Sequence, residues 1–107
     1  MSNTLEQIKA LVAKGEVRIS EHGYDQLAAD GLLARDLVSS VPSAELLEDY
    51  PGFPKGPCVL VLQQIEAGTP VHAVWGMPRG QSSPAVLVTA YRPDPELWSA
   101  DFRRRKT

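Results

Sequence analysis

The chain has 107 residues, of which 43% are hydrophobic and 22% charged, and its formal net charge at pH 7 is −2. This length suits one domain with one core over residues 1–107 and excludes two independently folded domains. No apolar run approaches the roughly 20 residues of a membrane span, and the N-terminus lacks the basic and apolar regions of a signal peptide. We therefore expect a cytoplasmic protein without membrane contact.

Three helices are predicted in the first forty residues. The apolar residues of segment 4–14 recur at helical spacing, with Thr4 in the first position of a capping box. Ser20 is placed to cap a second helix over residues 21–30. A third, short helix is predicted over residues 34–40 and ends before Pro42. Residues 16–20, between the first two helices, are expected to be an extended link.

From residue 44 the periodicity changes from that of helices to that of strands. Four strands are predicted, over residues 44–50, 58–65, 71–76 and 85–91. In the third strand, His72 should face the side of the sheet opposite to Ala73 and Trp75. Asp94 is placed to cap a C-terminal helix that would pack Trp98 against the sheet.

This order of elements indicates an α+β fold. We expect two or three N-terminal helices packed on a four-stranded antiparallel sheet, with a short C-terminal helix. Four of the eleven basic residues lie at positions 103–106, so the rest of the chain carries seven basic and thirteen acidic residues. We expect the basic tail, residues 103–107, to be solvated and frayed.

Four segments of the chain carry a resemblance to a known family. They are "ISEHGYDQLAADGL", "EDYPGFPKGPCVLVL", "TPVHAVWG" and "TAYRPDPELWSADFRRRK", which together extend over most of the chain from Arg18 to Lys106. In this order they resemble a bacterial family catalogued as domain of unknown function 4258. The family has no assigned activity to carry over.

That family is in turn similar to metal-independent RNase toxins of the RelE and barnase-like group, in its helix–helix–sheet order and in a motif that begins S-x-H. The resemblance implies a toxin-type ribonuclease that acts on RNA or the ribosome and pairs with an antitoxin-like protein. Ser20, His22 and Gly31 match the motif. Gln26 and Asp30 stand where such sequences carry arginines, which removes two cations that could bind phosphate.

RNA cleavage without a metal needs a base, an acid and a cation at the scissile phosphate. The candidate catalytic residues are His22, His72, Arg92 and Tyr91. His22 lies in the first turn of the second predicted helix, where the helix dipole favours a neutral imidazole that can act as a base. The set forms a site only if this helix start and His72 face the same side of the sheet.

Each candidate also has a structural explanation. His22 would anchor its helix onto the sheet, His72 would lie on the sheet surface or in an interface, and Tyr91 would be a strand aromatic with an anchored hydroxyl. Arg92 would brace an acidic loop. The spacing of the two histidines and of Cys58 fits no zinc site, and no glycine-rich phosphate loop is present, so we expect neither metal nor cofactor.

Two further functions remain open. A non-catalytic interaction module that holds a partner protein or a second copy of the chain, as a homodimer, is favoured by the acidic body and the missing arginines. A small-molecule pocket between helices and sheet could be lined by Tyr24, Trp75 and Tyr91.

Overall fold

A computed structural model describes residues 2–106, in which three α-helices pack on one five-stranded sheet. The helices are α1 (Asn3–Ala13), α2 (Glu21–Ala29) and α3 (Ala34–Ser40). The strands are β1 (Val17–Ile19), β2 (Glu45–Tyr50), β3 (Cys58–Ile65), β4 (Thr69–Gly76) and β5 (Ala85–Tyr91). The α+β prediction is confirmed. Met1 and Thr107, the two ends of the expected domain, lie outside the described residues.

The strand order in the sheet is β1-β5-β4-β3-β2. Strands β2 to β5 form the antiparallel meander that the sequence predicts. The prediction of four strands, all antiparallel, is wrong, because β1 joins the edge of the sheet and pairs in parallel with β5. Two backbone bonds flank this pairing: Ala85 N–H donates to Glu16 O at 2.9 Å, and Ser20 N–H donates to Leu87 O at 3.0 Å.

Side-chain caps position the first two helices. Ser2, and not Thr4, caps α1, since its hydroxyl accepts from Leu5 N–H at 3.1 Å. Ser20 caps α2 as predicted by accepting from Gly23 N–H, and its own hydroxyl donates to Val88 O on β5, both at 2.9 Å. The cap therefore also ties the start of α2 to the sheet.

The core lies between the helices and one face of the sheet. A polar network crosses it: the Trp75 indole N–H donates to Gln63 Oε1 at 2.7 Å, and Gln63 Nε2 donates to Leu37 O at 2.7 Å. Trp75, Gln63 and Leu37 are fully buried. Buried polar groups are costly unless they are paired, and here the pairing joins β3 and β4 to α3.

The predicted C-terminal helix is wrong. Asp94 does begin a turn, in which its carbonyl accepts from Leu97 N–H and Trp98 N–H, but the chain then reverses. Trp98 and Arg105 face each other in an antiparallel bridge, and Lys106 N–H donates to Leu97 O at 2.9 Å. Residues 97–106 thus form a short C-terminal hairpin, and a helix would not allow this return of the chain.

The hairpin lies against β2. Arg103 pairs with Glu45 at 2.6 Å, and Arg105 pairs with Glu48 at 3.2 Å. Residues 103–106 are exposed, and Arg103 and Arg105 make these ion pairs. The expectation of a frayed end for residues 103–107 stays a prediction, and Thr107 lies outside the described residues.

Candidate functional site

The two faces of the sheet have different environments. Val59, Val61, Ala73 and Leu87 point into the core under the helices. The residues that alternate with them point to the opposite face, which no helix within residues 2–106 covers. On β3, β4 and β5 they include Cys58, Leu60, Leu62, His72, Val74, Val86 and Val88. The C-terminal hairpin covers one part of this helix-free face and leaves the other part open.

His72 lies under the hairpin and is fully buried. Its Nε2 is 2.8 Å from Phe102 O, and because a carbonyl oxygen only accepts, this nitrogen carries the proton. Nδ1 then accepts from the Tyr91 hydroxyl at 3.3 Å. The Trp98 ring packs edge-on against the imidazole with centroids 4.3 Å apart, and the Arg105 guanidinium lies over the Trp98 ring at 4.7 Å.

These contacts give His72 a structural role. Burial lowers the pKa of the His72 imidazole, and burial likewise raises the pKa of the Tyr91 hydroxyl. Both ring nitrogens have protein partners, and the ring is fully buried. His72 holds the hairpin on the sheet through Phe102 O.

The other two predicted site residues lie elsewhere. Arg92 contacts the end of α2: its backbone N–H donates to Asp30 Oδ2 at 2.8 Å and its Nε donates to Asp30 O at 2.9 Å. His22 is exposed on α2, a helix that packs into the core through Leu27. Of the four predicted residues, the structure brings together only His72 and Tyr91.

The uncovered part of the helix-free face contains an open groove with a volume of about 530 Å³. Its floor is formed by strand residues and its walls by two loops and by the edge of the sheet. The groove is lined by Arg18, Tyr50, Phe53, Lys55, Gly56, Pro57, Cys58, Leu60, Val74, Gly76, Met77, Pro78, Arg79, Val86 and Val88.

Two loops, residues 51–57 and 77–84, pack together to form one end of the groove. Met77 N–H donates to Pro57 O at 3.0 Å, and Arg79 N–H donates to Lys55 O at 3.1 Å. Gly56 has a φ of +130°, and a Cβ at this position would lie 2.0 Å from Met77 O. Only glycine allows this backbone approach, so the loops hold this end of the groove in a defined shape.

The charged side chains that line the groove are all basic. Arg18, Lys55 and Arg79 line it, and no acidic residue does. The ion pairs within residues 2–106 involve other arginines, those of the hairpin. Burial raises the pKa of the Cys58 thiol, with a smaller contribution from Asp49. Cys58 is therefore a neutral part of the apolar floor and not an activated nucleophile.

Sequence reasoning missed this groove. Its signals were present in the prolines and glycines of "PGFPKGP" and in "CVLVL", which is apolar on both faces of its strand. The alternative pocket between helices and sheet is not formed by its three candidate residues. Trp75 is fully buried in the core, Tyr24 is 58% exposed on α2, and Tyr91 contacts His72.

Within residues 2–106, no helix has the length and apolar character to cross a bilayer. No three His, Cys, Asp or Glu side chains in the same range are grouped so that they could hold a metal ion.

A comparison with family models matches residues 19–92 to the family described as "Domain of unknown function (DUF4258)". The chain belongs to this family. The matched range contains α2, α3, β2 to β5 and most of the residues that line the groove, whereas Arg18 and the C-terminal hairpin lie outside it. Comparisons with curated proteins and with solved structures give no match, so the resemblance to RelE-like toxins has no support among them.

Proposed function

We propose that this protein is a binding domain that holds a small, largely apolar molecule in the open groove. The observation that carries the proposal is the groove itself, a preformed concavity of about 530 Å³ on a sheet face that no helix covers. Small-molecule sites are typically concave and apolar, with volumes of roughly 300–1,000 Å³.

The exposure of apolar side chains supports the same site. Seven large hydrophobic side chains within residues 2–106 are exposed, and three of them line the groove: Tyr50 at 44%, Phe53 at 49% and Val88 at 36%. Contiguous exposed apolar surface marks interaction sites. Covering it with a ligand would gain about 25 cal/mol per Å² of apolar area.

The toxin-type ribonuclease is the competing hypothesis. It needs His22 and His72 to act on one substrate, but His72 is bonded to Phe102 O and Tyr91 under the hairpin, while His22 lies on α2. Of the two non-catalytic alternatives, a protein-interaction module and a small-molecule pocket, the groove favours a small ligand, because it is concave and of small-ligand size.

A neutral fluorescent probe, N-phenyl-1-naphthylamine, tests the groove directly. We expect its emission to rise on binding to the wild-type protein and to Leu46→Glu, and its affinity to fall at least tenfold in Val88→Glu. The two substitutions are matched, since Leu46 and Val88 are both strand residues, with exposures of 37% and 36%, and only Val88 lines the groove. Thermal unfolding of each variant shows that it is folded.

Three outcomes would overturn the proposal. The first is no probe binding by the folded wild-type protein, or equal binding by Val88→Glu. The second is a wild-type homodimer that Val88→Glu dissociates, since a second copy would then occupy the groove. The third is metal-independent cleavage of total RNA that is lost in His22→Ala, which would restore the ribonuclease hypothesis.

A further inference from the structure

We infer that the ligand of the groove is an amphipathic anion, a free small molecule with an apolar body and one carboxylate, and that Arg18, Lys55 and Arg79 bind the carboxylate. This inference rests on the proposed function and names the class of ligand. It follows from where the three cations lie relative to the apolar floor.

Strand pairing places Arg18 at the same end of the groove as the two loops. Arg18 is opposite Val86, Val86 is opposite Gly76, and Gly76 is opposite Cys58, so these residues form one row across four strands. Cys58 and Gly76 are also the residues at which the two loops join β3 and β4. The row therefore borders the loops that carry Lys55 and Arg79.

Lys55 and Arg79 are held close together by their backbones, because Arg79 N–H donates to Lys55 O at 3.1 Å. Neither they nor Arg18 form an ion pair within residues 2–106. In a chain with thirteen acidic and eleven basic residues, a concavity lined by three cations and no acid favours a negatively charged group.

The apolar part of the groove begins two residues further along the strands. Leu60 is opposite Val74, and Val88 lines the groove near them, at the register shift between β4 and β5. The row after that contains Leu62 and His72, which are buried. From the Cys58 row to the Leu62 row is roughly 13 Å at about 3.3 Å per residue. The ligand's carboxylate would lie at the loops and its apolar body over Leu60, Val74 and Val88.

Competition with the bound fluorescent probe at neutral pH tests whether the groove prefers a negatively charged head group. The competitors are decanoate, decanol and decyltrimethylammonium, which share one alkyl chain and differ in head-group charge. We expect decanoate to displace the probe at the lowest concentration and the cation at the highest. An exposed ion pair contributes on the order of two- to fivefold in affinity, and the advantage of decanoate should shrink as salt is added.

Reversing the charge of Lys55 and Arg79 tests whether these two residues cause the preference for decanoate. In the double variant Lys55→Glu, Arg79→Glu, the preference for decanoate over decanol, measured as the ratio of their inhibition constants against the probe in that variant, should be lost. The control, Lys14→Glu with Arg35→Glu, makes the same change in net charge at exposed cations outside the groove and should keep the preference.

The two proposals fail in different ways. Equal displacement by all three competitors, or a preference for decanoate that survives in the Lys55→Glu, Arg79→Glu variant, would overturn the inference about charge while probe binding still supports the groove. Absence of probe binding by the wild-type protein would overturn the proposed function and the inference together.

Discussion

Acidification below about pH 6.5 should destabilise the protein through His72, since an imidazole has an unperturbed pKa of about 6.5. In the folded state burial lowers the pKa of His72, so the unfolded chain binds the proton more readily than the folded one. The stabilisation from keeping this ring neutral is fully present above the unfolded pKa and is lost as the pH falls toward the folded pKa.

Because a single buried imidazole is involved, the loss of stability on acidification has an upper limit. One buried ring changes its proton binding, so the free energy of unfolding falls by at most about 1.4 kcal/mol per pH unit below about 6.5. Protonation of Nδ1 would also turn the acceptor of the Tyr91 hydroxyl into a donor. The Arg105 guanidinium, which stacks on the adjacent Trp98 ring, adds repulsion to the charged form.

Urea denaturation between pH 5.5 and pH 7.5 would measure the free energy of unfolding on both sides of the reference pKa of about 6.5. We expect stability to fall on acidification in the wild-type protein and in His22→Gln, because His22 is exposed. In His72→Gln the dependence should flatten, since the amide N–H can still donate to Phe102 O but has no proton to gain. Unchanged stability in the wild-type protein over this range, or an equal slope in His72→Gln, would refute the reasoning.

Two further predictions concern the core and the loops. Gln63→Leu leaves the buried Trp75 indole N–H without its acceptor, and calorimetry should show a loss of about 1–3 kcal/mol; a similar loss in exposed Gln64→Leu would show that the network is not the cause. Gly56→Ala forces the two loops apart, so probe affinity should fall, whereas Gly52→Ala meets no atom within 4 Å and should bind normally. Wild-type affinity in folded Gly56→Ala would contradict the proposed role of the loops.

Elements with a strong local pattern were predictable from the sequence. The bounds of β3, β5 and α3 agree with the prediction, and the alternation along β4 placed His72 on the side opposite to Trp75. Each of these depends on periodicity within a few residues. The cap at Ser20 was found in the same way, because capping is set by the first turn of the helix.

The remaining features depend on contacts between distant parts of the chain. Strand β1 has only three residues, and its pairing with β5 has no local signature. Asp94 begins a turn that resembles a helix start, but the contact of Trp98 with Arg105 decides the fold of this segment. The groove is assembled from five strands and two loops, so its cations are not recognisable as a group in the sequence.

The hairpin also determines how much apolar sheet surface the protein presents to other molecules. Residues 93–106 lie beyond the family match, yet they cover His72, which lies next to the apolar floor of the groove. A chain that ended at Arg92 would leave His72 uncovered and enlarge the open part of this face, and larger exposed apolar patches favour self-association. We therefore expect the hairpin to limit self-association through this face of the sheet.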